Sequence, residues 1–474
     1  MRFHIVGTQE VLISHSGLAL AGLLLQGTEI KLRLGRIKLE SGGRPAISHG
    51  DNVLSMIGLL CMAQSDFEAI NAFEAESEAF FRRSLGLKQI PSEPTLRQRL
   101  DLLGARDAAE GTPAESRVRT VLLDESAQMV RRHAPTLTAC FQDWIPMDVD
   151  VSPFDNSHTR KEGVGLTYKK TDGYAPSFAY LGQEGYMINA ELRPGTQHSQ
   201  CGTPEFLADT LALTRQVTQG RLLVRMDAGN DDIDNVRVLR QKRHGPVDWI
   251  IKRNLRRESL TEWYEEACAH GVSVDCRAGK EIWIGDAWRG RDGQVERVVV
   301  EAIRRTMTAD GQALLVPELD INTFWTSLKP TQVTAQQVVR LYHDHGTSEQ
   351  FHSEIKTDMD LERLPSGKFA TNALVLECGL VAYNALRLCG QESLRQDKKM
   401  PPERKMPIRK KIRRRRLRRV IQDMIYVACR LVRHARRWSL AFWKNNPWRP
   451  VWQQVYEQFC AGGRRGLIPA PRPG

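Results

Sequence analysis

Arg221-Leu-Leu-Val-Arg-Met-Asp-Ala-Gly-Asn230 reads as a short strand that runs out onto an acid and a turn. Its apolar residues do not alternate with polar ones, the pattern of a central strand buried on both faces. An acid at the carboxyl end of such a strand lies where α/β proteins build their sites. The flanks agree. Helix-spaced apolar residues precede it at 203–217 and follow it at 232–242, and Val247–Lys252 reads as a further strand. Upstream, Ile145–Val151 is an apolar run with acids at alternate positions. Residues 165–168, 177–181 and 186–192 read as more strands, separated by Gly and Pro.

Three strands, then helix, strand, helix, strand is the order of a ribonuclease H-like domain, with acids on its first and fourth strands. The expected fold class is therefore α/β: a ribonuclease H-like core in two parts (141–252 and 321–395) around a β-rich insertion (253–320). The insertion is rich in Gly, Arg, Trp and β-branched residues, as in Glu281-Ile-Trp-Ile-Gly-Asp-Ala-Trp288. Residues 1–140 read as a helical region, and 396–474 as an Arg-rich helical tail. In the first, Ser92 and Pro94 open a helix carrying Arg97 and Arg99. That helix suits entry into a DNA groove, and suits an ordinary capped surface helix equally well.

Composition narrows the class. A chain of 474 residues, 41% hydrophobic, holds more than one core's worth of apolar material and is not disordered. A net charge of +12 favours a polyanionic partner, because neutralising phosphates releases counterions. Nine scattered cysteines, with no CxxC pair, fit neither a zinc site nor a disulfide framework and suit reduced thiols in the cytosol. The apolar run at 17–25 is too short to span a bilayer and lacks a basic leader, so no membrane partner is expected.

Three acidic positions carry the chemistry. Asp148 and Asp150 in Pro146-Met-Asp-Val-Asp-Val-Ser152 share one face of a strand, where two carboxylates repel each other unless a cation sits between them. Asp227 ends the central strand. The third signal is Tyr342-His-Asp-His-Gly-Thr-Ser-Glu-Gln-Phe-His-Ser-Glu-Ile-Lys356. On one continuous helix Tyr342, His345, Glu349 and Lys356 fall within roughly 60° of one another. Taken singly, these could be a strand end, a turn residue and an amphipathic surface helix. Together they supply the hard oxygen ligands that two Mg²⁺ ions need beside a phosphodiester.

These residues resemble the insertion-sequence 1380-type transposases, a DDE group allied to the insertion-sequence 4 transposases, whose signature is Y-x2-R-x3-E-x6-K. Tyr342, Glu349 and Lys356 match it in identity and spacing, while His345 stands where the family has Arg. A neutral His grips phosphate less well than Arg. Asp150-Val-Ser152 resembles the family's first acid in a D-x-S/T setting, and Val224-Arg-Met-Asp-Ala-Gly229 its second in R-x-D-S-G. Arg193-Pro-Gly-Thr-Gln-His198, Glu205-Phe-Leu207, Ala382-Tyr-Asn-Ala-Leu386 and the Arg-rich tail extend the likeness from about residue 14 to 459.

The resemblance implies a DNA transposase that hydrolyses phosphodiesters and transfers strands at transposon ends. Asp150, Asp227 and Glu349 would be the catalytic metal ligands, with Asp148 the alternative first acid and Mg²⁺ (two ions, Mn²⁺ substituting) the cofactor. Tyr342, His345 and Lys356 would position DNA. The partner would be double-stranded DNA, both inverted-repeat ends and target, bound by a homodimer in the bacterial cytoplasm at the nucleoid. Arg97, Arg99, Arg413, Arg414, Arg415, Arg416 and Trp288 are further DNA-binding candidates. Trp283 and Trp325 join Trp288 as candidates to stack on a flipped base, although a Trp in a β-rich segment is more often core. Two other readings stand beside this: a transposase-derived DNA-binding protein that no longer cuts, and a ribonuclease H-like nuclease of recombination. The signature disfavours the second.

Overall fold

Apolar strands at the middle of the chain pair into a nine-stranded mixed sheet. Five of them form its first half: β1 (Ile145–Val151), β2 (Ser177–Leu181), β3 (Tyr186–Glu191), β4 (Leu222–Met226) and β5 (Val247–Lys252). In space they run β5-β4-β1-β2-β3. β1 is parallel to β4, which is parallel to β5, whereas β2 is antiparallel to both β1 and β3. Helix α5 (Thr203–Val217) carries the chain from β3 to β4, and α6 (Ile233–Leu239) lies between β4 and β5. The computed structural model describes residues 3–39, 45–73, 76–134, 137–308, 310–408, 412–435 and 437–465.

The β-rich segment continues this sheet. Helix α7 (Leu260–His270) leads into β6 (Val272–Val274), β7 (Lys280–Arg291), β8 (Gln294–Met307) and β9 (Ala313–Thr326). β9 pairs antiparallel with β5 through Phe324↔Lys252, so the edge of β5 is covered rather than open to solvent. Asp292 and Gly293 turn β7 into β8 with φ of +52° and +72°, the backbone that an Asp-Gly hairpin turn requires. Residues 165–168 do not join the large sheet. Gly165–Leu166 pairs with Asp172–Tyr174 in a separate three-stranded sheet with Phe154–Asp155.

Strand alternation divides the core. Leu222, Val224 and Met226 belong to one apolar cluster, Leu223 to the other. The first cluster holds α10 (Phe369–Lys399), which is buried nearly all round, as an apolar helix at the centre of a protein must be. Its length and composition would allow it to cross a membrane, but 94% of its most apolar stretch is buried in the fold. Around it pack α2 (His49–Cys61), α3 (Glu93–Ala108) and α4 (Val118–His133). A Cβ at Gly104 of α3 would lie 2.7 Å from the Ala370 carbonyl oxygen, so this crossing needs a glycine. The second cluster is roofed by α8 (Ala335–His343).

The C-terminal region departs from the expected basic helical tail. It contains a hairpin of β10 (Cys429–His434) and β11 (Arg437–Phe442), to which Val11–Ile13 adds a third strand, followed by α11 (Arg449–Arg465). Several arginines before it are tied into the fold, while Arg413, Arg416, Arg418 and Arg419 keep exposed side chains. Arg414 pairs with Glu354 at 2.7 Å, and Arg416 with Asp358 at 2.8 Å. Arg415, only 2% exposed, pairs with Asp423 and stacks 5.1 Å over Trp448. The run lacks acids of its own, and the neutralising carboxylates come from elsewhere in the chain. Residues 409–411 of the run lie outside the described residues.

Candidate active site

Period-two geometry puts four charged side chains on the α8 side of the sheet: Asp148 and Asp150 from β1, Arg225 from β4, and Asp227 just beyond it. Asp148 and Arg225 are register partners, both buried, and form a bidentate pair at 2.6 and 2.8 Å. His345 adds a contact of 3.0 Å to the same carboxylate. Burial alone would raise the Asp148 carboxyl, but Arg225 and His345 outweigh it and hold its pKa below the usual value. Both Asp148 oxygens are thus engaged, and the residue stands behind the cavity wall rather than lining it. Of the two β1 acids, Asp150 is the one that faces the cavity.

Asp150 and Asp227 do open onto a cavity of about 790 Å³, whose wall also carries Tyr342, His345, Glu349 and Lys356. The signature segment is not one helix, however. α8 ends at His343, a 3-10 turn covers Asp344–Gly346, α9 spans Thr347–Ser353, and a π turn covers Glu354–Asp358. Gly346 has low helix propensity, and the π turn lets Glu354 face inward to Arg387, Arg414 and the Tyr383 hydroxyl. Expecting a single helical face was therefore wrong in its geometry, although all four side chains reach the same space. Glu354 is fully committed to this buried cluster and unavailable to the cavity.

Each group's charge follows from its neighbours. Burial first, then the nearby Asp150 charge, push the Asp227 carboxyl up to about 6, against hydrogen bonds from Asn230 and the Gly229 amide. Burial would also raise Asp150, but His352 donates at 3.1 Å and holds it below the usual range. Burial lowers His345, yet the Asp148 carboxylate outweighs it and raises the imidazole above the ordinary histidine value. This shift toward the charged form narrows its difference from the Arg of the resembling signature. Burial lowers the Lys356 ammonium, which reaches the Pro153 carbonyl and sits 5.6 Å over the Phe154 ring. Glu349 is exposed on the wall.

Other candidates lie away from this cavity. Arg97 is exposed on α3 and pairs with Glu93 at 3.5 Å, while Arg99 is half-buried. The Ser92 hydroxyl meets Thr95 Oγ1 at 3.0 Å and caps no backbone amide. Arg413 is exposed beside Gln183. Arg415 is too buried to reach a phosphate. Trp325 is core, held between Arg253 and Arg291, Trp283 is half-buried, and Trp288 is 52% exposed.

Two site residues escaped the sequence reading. Arg225 was visible as the one charge in Leu222–Met226, and a charge in a buried strand implies a buried counter-charge. His352 follows His345 by seven residues, a spacing that a continuous helix would put on nearly one face, and it joins Asp150 to the Tyr180 hydroxyl, 3.3 Å away.

A carboxylate-lined cavity over the carboxyl ends of parallel strands defines an α/β protein with an acidic site. The chain matches the family described as Transposase DDE domain group 1 over residues 10–461, and belongs to that family. No curated protein matches its sequence. Among solved structures it is similar to a piggyBac transposase seen by cryo-electron microscopy in a synaptic complex with hairpin DNA. That similarity has a TM-score of 0.41 and 10% identity, covering 98% of this chain and 87% of that one.

Proposed function

We propose that this chain is an insertion-sequence 1380-type transposase that cuts its own element from DNA and pastes it elsewhere. Asp150, Asp227 and Glu349 serve as its metal-holding carboxylates. The observation that carries this is the placement of Asp150 and Asp227 at the ends of neighbouring parallel strands, opening on one cavity with Glu349 on its wall. The strand order, 3-2-1-4-5 when β1–β5 are numbered in sequence, with the second strand antiparallel, supports a ribonuclease H-like core.

The donor set fits Mg²⁺, with Mn²⁺ as a substitute. All three donors are hard carboxylate oxygens, and the Asp227 carboxyl, raised by burial first and by the Asp150 charge second, is one that a bound cation would return to its ionised form. When bound, the metal supplies charge neutralisation at the crowded phosphate and an activated nucleophile. Among the described residues no three such side chains converge closely enough to hold an ion, so Glu349 must approach from its exposed turn. The remaining work falls to the chain. Tyr342, His345 and Lys356 line the same cavity as the acids and orient the DNA strand, with the charged form of His345 favoured by Asp148. Hydrolysis frees a 3′-hydroxyl, and the same cavity then accepts target DNA for strand transfer. Two copies acting together on paired ends, in the bacterial cytoplasm at the nucleoid, complete the reading.

The open arrangement of the three acids favours one rival, a DNA-binding relative that no longer cuts. Nicking and gel-shift assays on DNA bearing the inverted repeats that flank the gene separate the two. Asp150→Asn, Asp227→Asn and Glu349→Gln should each abolish Mg²⁺-dependent cleavage while binding persists. Cleavage surviving in Glu349→Gln overturns the assignment of the third acid, and absence of cleavage in the unaltered protein favours the rival.

A further inference from the structure

Glu301 stands in the middle of β8 with only 9% of its side chain exposed, and a carboxylate buried to that degree must be met by donors. The register of β8 and β9 puts Asn322 directly opposite, and the Asn322 amide donates to Glu301 Oε2 at 3.0 Å. The second donor comes from another element. α8 packs across β7 and β8, and at its last residue His343 Nε2 lies 3.2 and 3.3 Å from the two Glu301 oxygens. Other charges on these two strands are matched to each other, Arg297 to Asp286 at 2.7 Å. The His343 side chain stays 56% exposed and lines the cavity that Asp150, Asp227 and Glu349 share. It is neither one of the acids nor a residue of the signature.

A carboxylate accepts and does not donate, so Nε2 carries the proton of this contact. That fixes the tautomer and the orientation of the ring, and leaves Nδ1 to exchange a proton with whatever fills the cavity. Cleavage has a use for such a proton. As water attacks the phosphorus the P–O3′ bond breaks, and the departing oxygen is negative until it is protonated. We propose that His343 is a catalytic acid whose imidazolium gives its Nδ1 proton to the departing O3′, with Glu301 as the positioning residue that holds the ring. The attacking water forms the new P–O bond and releases its proton to solvent, from which the neutral ring is reprotonated. This rests on the DNA-cutting reading above and adds to it the group that protonates the leaving oxygen.

The test uses the full-length chain and two end duplexes of one sequence, one ordinary and one with sulfur in place of O3′ at the scissile phosphate. A thiolate is stable at neutral pH where an alkoxide is not, so it leaves without a proton. Each variant is compared with the unaltered protein on the same duplex in single turnovers, which cancels any effect of sulfur on the metal. His343→Gln should slow cleavage of the ordinary duplex about 100-fold and leave the rate on the sulfur-bridged duplex nearly unchanged. Glu301→Gln, which keeps an oxygen for Asn322, should show a smaller loss with the same rescue by sulfur. Because His343 is exposed, thermal melting of its variant should match the unaltered protein. An equal loss on both duplexes would make the His343–Glu301 pair a structural contact between α8 and β8 and overturn the proposal. A normal rate for His343→Gln on the ordinary duplex overturns it too, leaving the cutting function intact. Cleavage of neither duplex by the unaltered protein overturns the DNA-cutting reading, and this proposal with it.

Discussion

Asp227→Asn should make the metal-free protein more stable while destroying its activity. The carboxyl is pushed up from 3.8 to about 6, by burial first and by Asp150 second. Two units correspond to about 3 kcal/mol at roughly 1.4 kcal/mol each, and partial exposure reduces this to about 1–3 kcal/mol. A raised carboxyl pKa means that the folded state holds its proton more tightly than the unfolded one. Stability from that source is therefore complete below about pH 4 and lost as pH rises through 6. Asparagine keeps the oxygen that accepts from Asn230 and carries no charge, so the variant's advantage should be absent near pH 4 and full near pH 7.5. For a chain of 474 residues the unfolding entropy is on the order of 1 kcal/mol/K, so the Tm should rise by roughly 1–3 °C. Thermal melts in EDTA at both pH values measure this, and melts with added Mg²⁺ should stabilise the unaltered protein more than the variant. An Asp227→Asn protein that melts at or below the unaltered one at pH 7.5 would refute the claim that burial and the Asp150 charge together strain the Asp227 carboxylate without a cation.

Asp148→Asn should behave unlike Asp150→Asn. It leaves Arg225 buried without its counter-charge and should destabilise the fold by about 3–5 kcal/mol, read in chemical denaturation, whereas Asp150→Asn should fold normally and fail only in cleavage. Arg415→Met should lower stability by removing the partner of Asp423 but leave the salt dependence of DNA binding unchanged, as a salt titration will show. Gly185→Ala places a Cβ 2.3 Å from Phe351 of α9 at φ of +69°. It should reduce stability by about 1–3 kcal/mol and slow cleavage through displacement of the Glu349 turn, checked by paired melting and nicking assays.

The core sheet was legible because its signal is local. A run such as Leu-Leu-Val-Arg-Met excludes solvent on both faces wherever it sits, and the helices between strands carry their own period. Less was legible in regions settled by partners distant in sequence. Nothing in residues 253–320 says that β9 will close the edge of β5, because the pairing of Phe324 with Lys252 depends on the sheet's free edge. The tail misled for a related reason. A dense basic run is usually solvated or phosphate-bound, and the carboxylates that neutralise it here, Glu354 and Asp358, stand more than 50 residues upstream.

The same distinction runs through the site. Asp150, Asp227 and the signature residues could be nominated from the sequence because the chemistry asks for their types at definite spacings, and the fold brings them to one cavity. What each is able to do is decided by neighbours that no spacing rule names. Asp148 and Asp150 look equivalent on the strand, two residues apart on one face. Arg225 arrives opposite Asp148 by strand register, and that single pairing converts one carboxylate into structure and leaves the other for the cavity. His345 follows the same logic. It stands where the resembling signature has Arg, but Asp148 shifts it toward the charged form, so one buried aspartate both holds β4 to β1 and favours a cation beside the acids. Losing Asp148 should therefore impair cleavage through His345 even under conditions where the fold survives. The sign of this defect is definite: it should shrink as pH falls, because acid restores the imidazolium charge that the carboxylate normally secures.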